Sequence, residues 1–129
     1  MSIKKILLVD DDAGANFLNR IYLNNYNVVS QIDTALNGRE AIDYLAASNE
    51  CPDIILLDIN MPVLDGFEFL KIFNEQNKCS TVSKIFMLTS STREEDRIAA
   101  MSSKYVKGYF DKPLTTSHIE EMFSLVNTA

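Results

Sequence analysis

Apolar residues along the chain follow two rhythms. Continuous runs of about four to six residues recur at Ile6 to Val9, Ile54 to Leu57 and Ile85 to Leu88, with a looser β-branched stretch at Val28 to Thr34 and an aromatic one at Tyr105 to Phe110. Such runs predict strands buried on both faces. Between them apolar positions return at helical spacing: Phe17, Leu18, Ile21 and Tyr22; Ala41, Ile42 and Leu45; Phe67, Leu70 and Phe73; Ile98 and Met101; then Ile119, Met122, Phe123 and Val126. Strand and helix therefore alternate about five times.

Helix-start chemistry falls at the predicted boundaries. Thr92 stands three residues before Glu95, and Ser117 three before Glu120, both in the spacing of a capping box. Doubly apolar strands joined by crossover helices imply a parallel sheet covered on both sides, with right-handed connections. The expected architecture is an open, doubly wound, five-stranded α/β sandwich. Residues 1–129 read as a single domain with no output domain attached.

Composition narrows the function. Hydrophobic residues make up 47% and charged residues 23% of the 129 positions, enough apolar material for one core. The net charge of −6 speaks against direct binding to nucleic acid, which is gripped by clustered Lys and Arg. Cys51 and Cys79 form no CxxC pair, so neither a zinc site nor a disulfide scaffold is indicated and both are expected as reduced thiols. After Lys4 and Lys5 the first apolar run is too short for a signal-peptide core or a membrane span, which makes the cytoplasm the expected location.

In an open parallel sheet, ligands gather beyond the carboxyl ends of the strands. The first predicted strand ends in Asp10, Asp11 and Asp12, the third in Asp58-Ile59-Asn60, the fourth in Thr89-Ser90-Ser91, and the fifth in Asp111-Lys112-Pro113. Three adjacent carboxylates repel and raise one another's pKa, so a cation is the natural complement. Asp12 is placed as the N-cap of the first helix, and Asp65-Gly66 is a turn signal with no chemistry of its own. His118 reads as a partly exposed surface residue.

The motifs VDDD (Val9 to Asp12), LLDINMPVLDG (Leu56 to Gly66), MLTSS (Met87 to Ser91) and GYFDKP (Gly108 to Pro113) together resemble the receiver domain of two-component response regulators, from Ile6 to about Val126. The resemblance implies a flavodoxin-like strand order, 2-1-3-4-5. It implies that Asp58 accepts a phosphoryl group from a phosphohistidine on a sensor histidine kinase, or from a histidine phosphotransfer protein. It further implies Mg²⁺ bound by Asp11, Asp58 and the Asn60 main-chain carbonyl, with Asp10 holding a metal-bound water, a donor set suited to that ion. Lys112 and the Thr89 hydroxyl would contact the transferred group, and the Lys112-Pro113 bond is usually cis in the family.

By the same resemblance, movement of Thr89 toward the phosphoryl group lets Tyr109 rotate inward and reshapes the face formed by helix four, strand five and helix five. Output would then be the binding of an unidentified protein, by a monomer or a weak phosphorylation-dependent dimer. Asn60 and Ser91 would flank the path of attacking water. The chain departs from the family at Tyr105, where a glycine is usual, which predicts a differently shaped end of helix four. Two rivals are a phosphate-independent interaction module and a phosphohydrolase similar to the haloacid dehalogenases, with Asp10-x-Asp12 as its motif but Gly14 where that family has Thr or Val.

Overall fold

A strand buried on both faces can satisfy its backbone only through neighbouring strands. In the computed structural model, which describes residues 3–26, 29–76 and 78–127, five strands pair in this way: β1 (Lys5–Val9), β2 (Gln31–Ala35), β3 (Ile54–Leu57), β4 (Lys84–Thr89) and β5 (Val106–Asp111). All neighbours are parallel, in the order β2-β1-β3-β4-β5. The helices α1 (Ala13–Tyr26), α2 (Gly38–Ala47), α3 (Gly66–Gln76), α4 (Glu94–Met101) and α5 (Thr116–Asn127) alternate with them. This is the flavodoxin-like α/β fold expected. Val28, placed at the start of the second strand from its β-branched side chain, lies outside the described residues.

Side chains alternate across the pleat, so each strand feeds two cores. Leu7, Val9, Ile55, Leu57, Ile85 and Met87 pack against α2 and α3 through Ile42, Leu45, Phe69 and Phe73. Ile6, Leu8, Leu56, Phe86 and Leu88 pack the other way, against α1 and α5 through Leu23, Ile119, Met122 and Phe123. No described helix is long and apolar enough to cross a membrane.

Two helices turn differently from their apolar pattern. On α1 the residues carrying the helical spacing face outward, Phe17 at 63% exposure together with Leu18, Ile21 and Tyr22, while Asn16, Asn19 and Leu23 are buried. The Asn16 side-chain amide donates to the Asp10 carbonyl at 2.9 Å, and this polar contact accompanies the inward turn of the asparagine side. On α4, Ile98 is 62% exposed and Ala100 supplies the buried contact.

The predicted capping boxes are also displaced. Ser91, not Thr92, serves the start of α4: its hydroxyl accepts from the Arg93 amide at 3.3 Å and donates to Asp96 at 2.6 Å. At α5 the reciprocal pair is Thr115 and His118, each backbone amide donating to the other's side chain at 3.2 Å. His118 stacks on Phe110 and is partly buried. Tyr105 needs no left-handed conformation, because Val63 alone among the described non-glycine residues has positive φ. Its ring turns into the core and meets Phe73 edge-on at 5.1 Å.

The cysteines correct the sequence reading most plainly. Cys51, before β3, and Cys79, before β4, are joined in a disulfide with Cα atoms 5.5 Å apart. Both loops enter neighbouring strands from the same end, a proximity that a separation of 28 residues does not announce.

Candidate functional site

Four strand ends build the site. β1 runs out at Val9, and the chain then turns sharply: the Asp10 amide donates to the Ala35 carbonyl at 3.1 Å, and the Asp12 amide donates back to Asp10 Oδ1 at 2.9 Å. Asp12 caps α1 as expected, through Ala15 N–H to its Oδ1 at 3.1 Å. Asp10 therefore points inward while Asp11 stays exposed. β3 delivers Asp58 beside it, anchored by its amide to the Val9 carbonyl at 3.0 Å.

One oxygen from each of Asp10, Asp11 and Asp58 lies within 4.8 Å of the others. Asp10 and Asp58 are buried. From β5, Lys112 Nζ reaches both buried carboxylates, Asp10 Oδ2 at 2.8 Å and Asp58 Oδ2 at 3.1 Å. The second oxygen of Asp58 accepts the Ile59 amide at 2.8 Å. The Lys112-Pro113 peptide is cis, and the Lys112 amide donates to the Thr89 carbonyl at 3.0 Å.

Burial is the largest influence on Asp58 and holds its carboxyl above the ordinary value. Lys112 opposes that rise by hydrogen bond and charge, Asp10 adds to it, and the Ile59 amide opposes it. For Lys112, burial alone acts downward, but hydrogen bonds and charges from Asp10 and Asp58 outweigh it and raise the ammonium above its usual value. The two directions are compatible, since the lysine meets two carboxylates whereas Asp58 meets one ammonium and one carboxylate.

Thr89 ends β4 fully buried, its hydroxyl accepting from the Ser91 amide at 3.2 Å. Asn60 lies exposed two residues beyond Asp58. Tyr109 already has its hydroxyl enclosed beside Ser91; burial foremost raises this phenol, and the Ser91 side chain opposes the rise. Among the expected residues, Asp10, Asp11, Asp58 and Lys112 converge directly, while Thr89 is joined to Lys112 through the backbone.

The donor set fits a hard divalent cation: three carboxylates gathered closely, with no histidine or cysteine joining them among the described residues. Asp10, Asp11 and Asp58, with the Asn60 carbonyl nearby in sequence, are the residues that would hold Mg²⁺.

Gly66 belongs to the site in a way its turn signal did not reveal. A Cβ there would overlap the Asp58 carbonyl oxygen, so α3 can start this close to the acidic residue only with glycine. Its amide donates to the Ile59 carbonyl at 2.8 Å. Asp65 and Glu68 form a reciprocal capping box around it, both contacts at 2.9 Å. The intervening loop carries a tight turn, with the Leu64 amide donating to the Pro62 carbonyl at 2.7 Å and Val63 at φ 68°. Positive φ is rare for a β-branched residue.

Comparison with known proteins agrees with this geometry. Residues 6–124 match the family described as the response regulator receiver domain. The chain is 37% identical over 109 residues to an uncharacterized 14.6 kDa protein encoded in the sodA1 3'region of Leptolyngbya boryana, covering 84% of this chain and 79% of that protein. It is 36% identical over 115 residues to the transcriptional regulatory protein ResD of Bacillus subtilis (strain 168), covering 89% of this chain but only 44% of ResD. A two-component response regulator from Cytophaga hutchinsonii superposes with a TM-score of 0.90 at 32% identity, covering 100% of both chains.

Proposed function

Because the chain belongs to the response regulator receiver family, we propose that Asp58 accepts a phosphoryl group from the phosphohistidine of a sensor histidine kinase or a histidine phosphotransfer protein. An Asp58 oxygen attacks phosphorus, the P–N bond breaks, and the donor imidazole leaves and takes up a proton. The observation carrying this reading is the contact of Lys112 with Asp58 at 3.1 Å inside an all-carboxylate cluster.

Mg²⁺, when bound, neutralises carboxylate charge that would otherwise repel the incoming group. The chain's own residues do the rest. Burial and the Ile59 amide fix which Asp58 oxygen is tied and which faces the ammonium. Lys112 exchanges a carboxylate contact for one with a phosphoryl oxygen, and Thr89 donates its hydroxyl to another. Asn60 and Ser91 flank the approach of hydrolytic water and set the lifetime of the acyl phosphate.

Output is protein binding through α4, β5 and α5. The Tyr109 hydroxyl is enclosed beside the Ser91 side chain. As Thr89 and Ser91 shift, Tyr109 either leaves for solvent or stays inward, and the surface around it changes with the choice. A partner that prefers one arrangement reads the phosphorylation state. The setting is cytoplasmic, with the chain acting as a monomer or a weak phosphorylation-dependent dimer.

The test is incubation with Mg²⁺ and acetyl phosphate, followed by mass mapping. One phosphoryl group on Asp58, lost on chelation and in Asp58→Asn, supports the proposal. Labelling that depends on Asp10 as the acceptor would favour a dehalogenase-like hydrolase. No modification with any phosphodonor would favour the phosphate-independent module.

A further inference from the structure

At the sheet edge opposite the acidic site, the Cys51–Cys79 bond joins the loop before β3 to the loop before β4. We propose that this pair is a reversible thiol–disulfide exchange site, open to a small thiol or a dithiol protein at the sulfur of Cys51. Three observations carry the inference, and none depends on the phosphoacceptor reading.

The two cysteines differ in exposure. Cys79 is 2% exposed, whereas Cys51 is only partly buried. An attacking thiolate therefore meets Cys51 and leaves Cys79 as the departing group. Both cysteines also lie in irregular segments, so opening the bond requires no helix or strand to come apart.

The same two loops are held together without sulfur. Ser83 Oγ donates to the Pro52 carbonyl at 2.6 Å, and the Lys84 amide donates to the Asp53 carbonyl at 3.0 Å. Lys78 Nζ donates to the Ala46 and Ser48 carbonyls at 2.8 and 2.9 Å. These ties keep the thiols adjacent after reduction and make re-closure an intramolecular step. The Lys78 carbonyl, 3.8 Å from Cys51 Sγ, is an acceptor in place for the thiol state.

The chemistry balances as ordinary exchange. A reductant thiolate attacks Cys51 Sγ, the protein S–S bond breaks, and Cys79 leaves as a thiolate that takes up a proton. A second reductant thiolate attacks the reductant sulfur of the mixed disulfide and releases Cys51, which is protonated in turn. Two thiols are oxidised to one disulfide, and the protein gains two hydrogens. In a reducing compartment such a bond works as a redox sensor and not as a permanent staple.

The test uses the full wild-type chain, without denaturant, equilibrated at graded ratios of reduced to oxidised glutathione, then alkylated and weighed intact. The expected result is a reversible transition between no alkyl group and two, with the same midpoint from the oxidised and the reduced side. Cys79→Ser should trap glutathione on Cys51, and Cys51→Ser should leave Cys79 unmodified. Reduction only in denaturant, two free thiols at every ratio, or glutathione trapped on Cys79 would overturn the proposal. Acetyl phosphate labelling of Asp58 in the reduced form is a separate readout, so failure of either proposal leaves the other visible.

Discussion

The two edges of the sheet are held by opposite means. At the carboxyl edge three carboxylates and one ammonium crowd together, and the most buried carboxylates depend on Lys112 for their neutralisation. At the amino edge the loops are tied by neutral or well-partnered links. Asp53 accepts the Lys4 and Lys5 amides at 2.8 and 3.2 Å, buried Lys5 donates to the Glu50 carbonyl at 2.8 Å, and the disulfide closes the arrangement. One edge keeps unspent electrostatic energy for a ligand, while the other supplies rigidity. Between them the middle of the sheet is apolar, with Ile54 to Leu57 in β3 flanked by Ile6 to Val9 of β1 and Ile85 to Leu88 of β4.

The sharpest way to break this contrast is to remove the amino-edge disulfide. Cys51→Ser combined with Cys79→Ser should cost about 3–4 kcal/mol, the loop-entropy value for a closure of this length, read as a lower denaturant midpoint. Phosphorylation of Asp58 should survive it; its loss would show that the edges are coupled. Next in size, Gly66→Ala forces a methyl group against the Asp58 carbonyl, at a cost of about 1–3 kcal/mol. Here both the denaturation midpoint and the rate of acetyl phosphate labelling should fall, since the displaced backbone belongs to Asp58, the proposed phosphoacceptor.

Asp58→Asn should act in the other direction and stabilise the metal-free protein at neutral pH. The folded pKa of Asp58 is raised, chiefly by burial, so the folded state binds more protons than the unfolded one and stability falls as pH rises through that window. The gain from asparagine should therefore shrink as pH falls from the raised folded value toward the ordinary carboxyl value, which denaturation across pH would show. Smallest of all, Val63→Gly relieves the positive φ in the loop after Asp58 and should add about 0.5–1 kcal/mol. A lower midpoint in that variant would mean that the exposed valine, at 76%, contributes something the loop geometry does not show.

Much of this was legible in the chain because strands buried on both faces carry an unambiguous apolar signal, and their ends necessarily share one edge. Asp10, Asp58, Thr89 and Lys112 were readable for that reason. The face of α1 was not, since hydrophobic spacing pointed to Phe17 and Ile21 while the inward side carries Asn16, bonded to the Asp10 carbonyl. Helix starts were readable only to within a residue or two: the α4 cap falls on Arg93, one residue after Thr92 and without a side-chain bond, and the α5 cap on Thr115, two residues before Ser117. The disulfide was hidden altogether, as it depends on two loops meeting across parallel strands. Gly66 announced a turn but not the carbonyl it must clear.

A crystal structure with Mg²⁺ and beryllofluoride tests the central claim most directly, because it places a phosphoryl mimic where the carboxyl edge is said to receive one. The account predicts beryllium bonded to an Asp58 oxygen, the ion held among Asp10, Asp11, Asp58 and the Asn60 carbonyl, and Lys112 moved from a carboxylate to a fluoride. A mimic bound elsewhere, or Lys112 still bridging Asp10 and Asp58 beside it, would contradict the account.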